Sequence, residues 1–261
     1  MDLKYLDWVT LFGRSLLSPS QSAKLSQSPA LKDRYDSQLH NISRASECGM
    51  FSAAVHQTVL NLPPLPDPVD GLNVELNLGN KYAVLVGDFF AIKTIFFAEK
   101  VKNSQVFLKI IHGVEDFTYS SFSSLINRGL SWPNVANEHA TAEDWMSHAV
   151  GSSGYFTGGL NAVHTLNQNL DQGTQIAGKD LANFVSGLAM FLKVKGELDD
   201  ISRTGDDGTD SGVVIKNPFI FTSLPAVIYQ QSNLKVFQEL RKAKFDVPSN
   251  QLVEAVSSTV S

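Results

Sequence analysis

The spacing of apolar residues in the second half of the chain is the feature that most restricts the fold. Apolar side chains recur there in steps of about three and four residues, as on one face of an α-helix: Leu181, Phe184, Val185, Leu188, Phe191 and Leu192. Residues 80–96 and 105–117 repeat the pattern, whereas the alternation typical of a half-buried strand is almost absent. The sequence therefore predicts an all-α fold.

Proline and capping signals place the ends of the predicted helices. The proline-rich string at 63–66 must end a helix that begins near Ser43, and we expect a loop from there to Gly79. Thr141 followed by Asp144 is typical of a capping box at a helix start. The helix that it opens is crowded with small residues that allow a close approach of neighbouring backbones: Ala149, Gly151, Ser152, Ser153, Gly154, Gly158 and Gly159.

The serine-rich N-terminal part of the chain suggests how the chain is divided. Residues 18–45 are polar, with many serines and with Pro19 and Pro29, which is typical of a linker. Apolar residues at helical spacing precede this stretch. We therefore expect an N-terminal helix and a serine-rich linker over residues 1–42, and a helical domain over residues 43–261.

Composition excludes several classes of function. The net charge of −5 argues against a nucleic-acid partner, because neutralising phosphates needs clustered Lys and Arg. The single cysteine, Cys48, excludes an internal disulfide and a cysteine-based zinc site. No apolar run reaches the roughly 18 residues of a membrane span, so no transmembrane segment is expected.

Five short strings, in a consistent order, resemble the trans-polyprenyl diphosphate synthase family. The longest is GNKYAVLVGDFFA at residues 79–91, which is similar to the helix that the family writes AVL-x-GD-F/Y-L-L-A. The others are HQTVLN at 56–61, HGV at 112–114, GLAM at 187–190 and SLPAVIY at 223–229. The resemblance covers roughly residues 43–231.

Within the family, the likeness is greatest to the degenerate subunit of heteromeric decaprenyl-type (all-trans-polyprenyl) enzymes, which supply the side chain of ubiquinone. The resemblance implies an isoprenoid-synthase-like helical bundle, shortened at the N-terminus. It also implies a catalytic polyprenyl diphosphate synthase subunit as partner, in a heterodimer or heterotetramer. It suggests a mitochondrial location, but the N-terminus has fewer Arg and more acidic residues than a typical presequence, so a cytoplasmic location stays open.

The chemistry of this family depends on carboxylates that the first motif lacks. Prenyl transfer needs Mg²⁺ bridging a diphosphate, held by Asp side chains spaced one helical turn apart. At the matching positions this chain has Gln57, Thr58 and Asn61, whose neutral oxygens are weak ligands. The resemblance therefore implies no cofactor bound by this chain alone, with Mg²⁺ held by the catalytic partner.

The second aspartate motif has two possible registers. Alignment on residues 187–189 puts Val194 and Lys195 where paired aspartates belong, and the motif is then absent. Alignment on Asp199 and Asp200 leaves a partial motif. This register needs about five extra residues in one helix, and they would rotate the side chains that follow by more than one helical turn. We favour the first register, and no catalytic residue is assigned to the chain.

A run of phenylalanines indicates a contact surface. Consecutive residues diverge by about 100° around a helix, so one face cannot bury them all, and a second apolar face suggests a partner. In the family this region forms the dimer interface. The predicted interface residues are Phe89, Phe90, Phe96, Phe97 and Phe107.

Three functions stay open on the sequence. The leading hypothesis is a non-catalytic subunit of a heteromeric trans-polyprenyl diphosphate synthase. The alternative is an active short-chain prenyltransferase or terpene synthase that uses Asp199 and Asp200. The third is a helical interaction protein that has left this pathway.

Overall fold

The computed structural model describes residues 5–56, 58–59, 71–123, 141–170, 178–204 and 224. The described residues are almost entirely helical and contain no β-strand, so the predicted all-α class is confirmed. The helices are α1 Tyr5–Ser15, α2 Pro19–Gln27, α3 Pro29–His56, α4 Gly71–Lys100, α5 Ser104–Ser123, α6 Ala142–Ser152, α7 Gly154–Gln168 and α8 Gly178–Thr204. None of them is long and apolar enough to cross a membrane.

The chain divides into two compact units. Unit 1 contains residues 1–116 and 153–181, and unit 2 contains residues 117–152 and 182–261. Helix α3 runs without interruption through residues 42 and 43, where we expected a linker to meet a domain. The stretch that we expected to be a serine-rich linker is therefore helical over Pro19–Gln27 and at the start of α3.

The supposed linker is helical because its Ser-Pro pairs act as helix starts. Ser18 accepts a hydrogen bond from the Gln21 backbone, and the Gln21 side chain accepts one from the Ser18 N–H, which makes a capping box. Pro19 and Pro29 stand at the first positions of α2 and α3, where a missing N–H costs nothing. Serine-rich composition alone could not separate caps from a linker.

A buried polar network ties the N-terminal helices into unit 1. The Tyr35 hydroxyl donates to Asn167 Oδ1 at 2.8 Å, and Asn167 Nδ2 donates to the Gly13 carbonyl at 2.9 Å. Gln21 Nε2 donates to the Asn167 carbonyl at 2.8 Å. These bonds satisfy polar groups that are costly to bury unpaired. Burial also raises the pKa of Tyr35 to about 12, so its hydroxyl keeps its proton.

Small residues set the distance between α5 and α7. A Cβ added to Gly113 would lie 2.3 Å from the Gly154 carbonyl oxygen, and one added to Gly158 would lie 3.0 Å from the Gly113 Cα. Only glycines allow this backbone contact. The close approach predicted from the small residues is confirmed, although the predicted single helix is broken at Ser153 into α6 and α7.

The helix limits differ from the predictions at the start of α4, at the end of α3 and at the end of α5, which runs to Ser123 rather than to residue 117. Helix α4 begins at Gly71, so residues 71–79 are helical where we expected a loop. Helix α3 ends at His56, before the predicted stop at the prolines. The capping box at α6 is confirmed, because the Asp144 N–H donates to Thr141 Oγ1 and the Thr141 N–H donates to Asp144 Oδ2.

Unit 2 has its own small core. Trp145 and Ala149 of α6 are buried and pack against Met190, Val194 and Leu224. The Trp145 indole N–H donates to Glu197 at 3.1 Å, so its one polar group is satisfied.

Candidate functional site

The first degenerate motif lies at the C-terminal end of α3. Thr58 is exposed, and its hydroxyl donates to the Val55 carbonyl at 2.7 Å. Gln57 and Asn61 lie outside the described residues. A threonine hydroxyl engaged with its own backbone is a poor Mg²⁺ ligand beside a carboxylate. The only member of the motif that the structure places therefore does not fit the metal.

His56 lies beside this motif and links α3 to α4. Its Nε2 atom is 3.3 Å from Asp88 Oδ1. A Cβ added to Gly87 would lie 2.3 Å from the imidazole ring. Gly87 therefore leaves room for the His56 ring, and Asp88 provides it with a carboxylate across from α3 to α4.

The second degenerate motif lies on α8. Val194 is half-buried against Trp145 in the core of unit 2, and Lys195 is exposed. Asp199 and Asp200 belong to α8, but their side chains lie outside the described residues. Among the side chains that are described, no group of three His, Cys, Asp or Glu residues is arranged to hold a metal ion.

Glu197 is a half-buried carboxylate that the sequence reasoning missed. It accepts hydrogen bonds from the Trp145 indole at 3.1 Å and from the Leu224 N–H at 2.9 Å, and Lys193 lies 3.8 Å away. The spacing of Lys193 and Glu197 by four residues was a visible signal. The two hydrogen bonds could not be deduced, because they join distant parts of the chain. Both oxygens of this carboxylate are used within unit 2.

Two further polar groups are shielded rather than reactive. The Ser120 hydroxyl lies 3.2 Å from His148 Nδ1, and burial, helped by the Lys193 charge, lowers the pKa of His148 to about 4. The imidazole is therefore neutral near pH 7. Burial and the Glu47 charge raise the pKa of the Cys48 thiol more than Arg44 and Lys93 lower it, so it is mainly in the unreactive thiol form.

One face of α4 carries a line of large, exposed apolar side chains, which we call the α4 stripe. Its members follow one another in alternating steps of four and three residues, the spacing of a coiled-coil seam. They are Leu78, Tyr82, Leu85, Phe89, Ile92 and Phe96, and each is between 45% and 67% exposed. This is the most extended apolar feature on the described surface.

The size of the α4 stripe is comparable to one side of a protein–protein interface. If each large side chain has an accessible surface of roughly 200 Å², the exposed parts of the six stripe residues together amount to about 700 Å². The largest patch on a typical monomer is about 300–600 Å², and a standard interface buries about 800 Å² per partner. The α4 stripe is therefore a candidate docking surface.

The opposite face of α4 is packed within unit 1. Gly87, Thr94 and Ala98 are buried, and this helix makes its most extensive packing against α3. Two cations lie along the exposed side: Lys93 Nζ is 5.0 Å from the centre of the Phe96 ring, and Lys100 Nζ is 4.3 Å from it. The aromatic edge of the stripe is thus partly covered by lysine side chains.

The structure separates the five predicted interface residues. Phe89 and Phe96 belong to the α4 stripe. Phe90 turns towards α3, where its ring centre is 5.3 Å from that of Phe51. Phe97 and Phe107 pack against the core of unit 1. The sequence indicated that these phenylalanines lie on two faces. On α4, Phe90 and Phe97 lie on the inner face, and Phe89 and Phe96 lie on the outer face.

A shorter line of exposed apolar residues lies on α8 in unit 2. Phe184, Phe191 and Leu198 follow at intervals of seven residues and are all exposed. Lys195 lies between the last two and is exposed as well. With three large members rather than six, this line is the weaker candidate surface.

Comparison with known proteins adds no assignment. No protein-family model matches the chain, and no curated protein matches it.

Proposed function

We propose that the chain is a non-catalytic subunit of a heteromeric trans-polyprenyl diphosphate synthase. The observation that carries the proposal is the α4 stripe, an exposed helical seam of about 700 Å² on the helix that also contains the longest family-like string. A seam of this kind is typical of a helix that packs against another helix in an assembly.

The proposal assigns the chemistry to the partner. The partner's intact aspartate motifs would hold Mg²⁺ and the diphosphate, while this chain would contribute an isoprenoid-synthase-like scaffold. The chemistry of the first motif supports this division of labour, because Thr58 donates its hydroxyl to a backbone carbonyl. In the family the product is the side chain of ubiquinone, and we extend that role and a mitochondrial location to this chain.

The direct test is co-expression with the catalytic trans-polyprenyl diphosphate synthase subunit of the same organism. We expect a stable complex whose mass, measured by light scattering, corresponds to a heterodimer or heterotetramer, together with polyprenyl diphosphate product. The isolated chain should not turn over isopentenyl diphosphate and an allylic primer with Mg²⁺. Turnover by the isolated chain, or failure to form the complex, contradicts the proposal.

A second variant separates the proposal from the enzyme that would use Asp199 and Asp200. Replacing both residues by Asn removes two carboxylates with little change in size. We expect complex formation and product yield to stay within about twofold of the unmodified chain, because the metal would be held by the partner. A loss of activity comparable to that of a mutated catalytic subunit would favour the alternative.

The α4 stripe itself is tested with Phe89→Asp combined with Phe96→Asp. Both residues are exposed, so the isolated chain should keep its helix content and melting temperature, whereas binding to the catalytic subunit should fall at least 100-fold, about 2.7 kcal/mol. Leu11→Asp, at a side chain 62% exposed on α1, is the matched control and should bind normally. If the Phe89 and Phe96 double variant and the Leu11→Asp control changed the affinity for the catalytic subunit equally, the contact would lie outside the α4 stripe.

A further inference from the structure

The two edges of the α4 stripe carry different charges. In the coiled-coil arrangement, the residue directly after each of Leu78, Leu85 and Ile92 lies on one edge of the stripe. Lys100, seven residues after Lys93, continues this edge. The other consists of the residues that directly precede Tyr82, Phe89 and Phe96. The first edge is Gly79, Val86, Lys93 and Lys100, and the second is Lys81, Asp88 and Ile95.

The two lysines of the first edge are held over the rings of the stripe. Lys93 Nζ lies 5.3 Å from the centre of the Phe89 ring and 5.0 Å from that of Phe96. Lys100 Nζ lies 4.3 Å from the Phe96 ring and 5.8 Å from that of Phe97. A surface that covers the stripe must therefore meet both ammonium groups.

Neither ammonium group is neutralised by a carboxylate within the described part of the chain. Glu99, the acid next to Lys100 in the sequence, is paired with Lys102. On the other edge, Asp88 is paired with His56 across to α3. Covering Lys93 and Lys100 with an uncharged surface would remove water from two cations without compensation, which costs free energy.

We infer that the α4 stripe is covered by a partner helix with an apolar seam and with carboxylates along the edge that faces Lys93 and Lys100. The identity of the partner as a polyprenyl synthase subunit rests on the proposed function. The charge requirement rests on α4 alone.

A second copy of this chain does not meet the requirement. Its stripe offers three lysines and one aspartate along its edges, so two stripes bring an excess of positive charge together. An anionic membrane would attract the same lysines, but the alternating four- and three-residue spacing of the α4 stripe is that of a seam for a partner helix. An acidic helix satisfies both the seam and its edge.

The test uses three synthetic helical peptides with the same apolar seam, about four heptads long, and with Glu, Gln or Lys at all edge positions. In about 50 mM salt we expect the full chain to bind the Glu peptide at least tenfold more tightly than the Gln peptide, and the Lys peptide most weakly. The preference should shrink several-fold in about 0.5 M salt, where exposed charges are screened.

Charge reversal at the edge provides the matched variants. Lys93→Glu with Lys100→Glu should invert the order of the three peptides, while Lys32→Glu with Lys179→Glu, at exposed sites on α3 and α8, should leave it unchanged. Equal affinity for the three peptides, no binding to any of them, or the same order in both double variants overturns the inference. Dimerisation of the chain alone at micromolar concentration, or tighter binding to phosphatidylserine vesicles than to the Glu peptide, also overturns it.

The catalytic-subunit experiment distinguishes this inference from the proposed function. If the peptides rank as expected and the catalytic subunit does not bind, the assigned partner is wrong and the charge requirement stands. If the subunit binds and the peptides do not rank by charge, the charge requirement is wrong and the proposed function stands.

Discussion

The two faces of α4 use their residues in opposite ways. The residues of the inner face that are fully buried are small, namely Gly87, Thr94 and Ala98, whereas the outer face carries Tyr82, Phe89 and the four other large side chains of the α4 stripe. A helix that served only a monomer core would place its large apolar residues inward, because burying them is what stabilises the fold. The distribution on α4 indicates that the inner face serves close packing and that the outer face is kept for a second surface.

The strongest test of this contrast places the same charge on each face. Ala98→Asp puts an unpaired carboxylate at a fully buried position, and we expect it to lower the free energy of unfolding by about 3–5 kcal/mol. Helix propensity accounts for at most about 0.7 kcal/mol of that. Ile92→Asp, at a position 67% exposed, should change it by no more than about 0.5 kcal/mol. Urea denaturation of the two variants measures both values, and equal losses would mean that the outer face is also buried.

Adjacent phenylalanines give the next largest contrast. Phe90→Ala removes the ring that packs on Phe51 and should cost about 2 kcal/mol of stability. Phe89→Ala should leave thermal stability nearly unchanged but weaken binding to the catalytic subunit by about 10- to 100-fold. Melting curves and binding titrations on both variants separate the two roles. If Phe90→Ala weakened binding without loss of stability, the two faces would have been assigned in reverse.

The sequence was sufficient for the class of fold but not for the assignment of each residue. Helical periodicity predicted the all-α chain and the start of α5, because amphipathic spacing is a local property, but α5 continues six residues past the predicted end at residue 117. It failed at α2 and at the start of α3, where Ser-Pro pairs are helix caps rather than linker residues. Capping depends on the backbone angle of one serine, and composition does not contain that angle.

The candidate site shows the same limit. The phenylalanine run indicated that α4 has two apolar faces, yet residue types alone could not decide that Phe90 and Phe97 lie inward while Phe89 and Phe96 lie outward. That decision follows from where α3 packs, which is a long-range property. Lys93 gave no signal in the sequence, because its role depends on the rings three and four residues away on the same exposed face.

Glycine on the inner face provides a smaller test. A Cβ on Gly87 would approach the His56 ring to 2.3 Å, so we expect Gly87→Ala to cost about 1–2 kcal/mol despite the better helix propensity of alanine. In a His56→Ala background the clash disappears, and the same change should become neutral or stabilising. A double-mutant cycle by urea denaturation gives the coupling, and additivity of the two changes would argue against contact between these residues.

Glycine on the outer side of α4 should respond with the opposite sign. Gly79 is exposed, and a Cβ added there meets no atom within 4 Å. Gly79→Ala should therefore stabilise the chain by about 0.5–1 kcal/mol, since it removes only the backbone entropy that glycine loses on folding. The same denaturation experiment detects a gain of this size as a shift of midpoint without a change of slope. A loss of stability would show that residue 79 faces a neighbouring element, and the outer face of α4 would then begin closer to the C-terminal end of the helix.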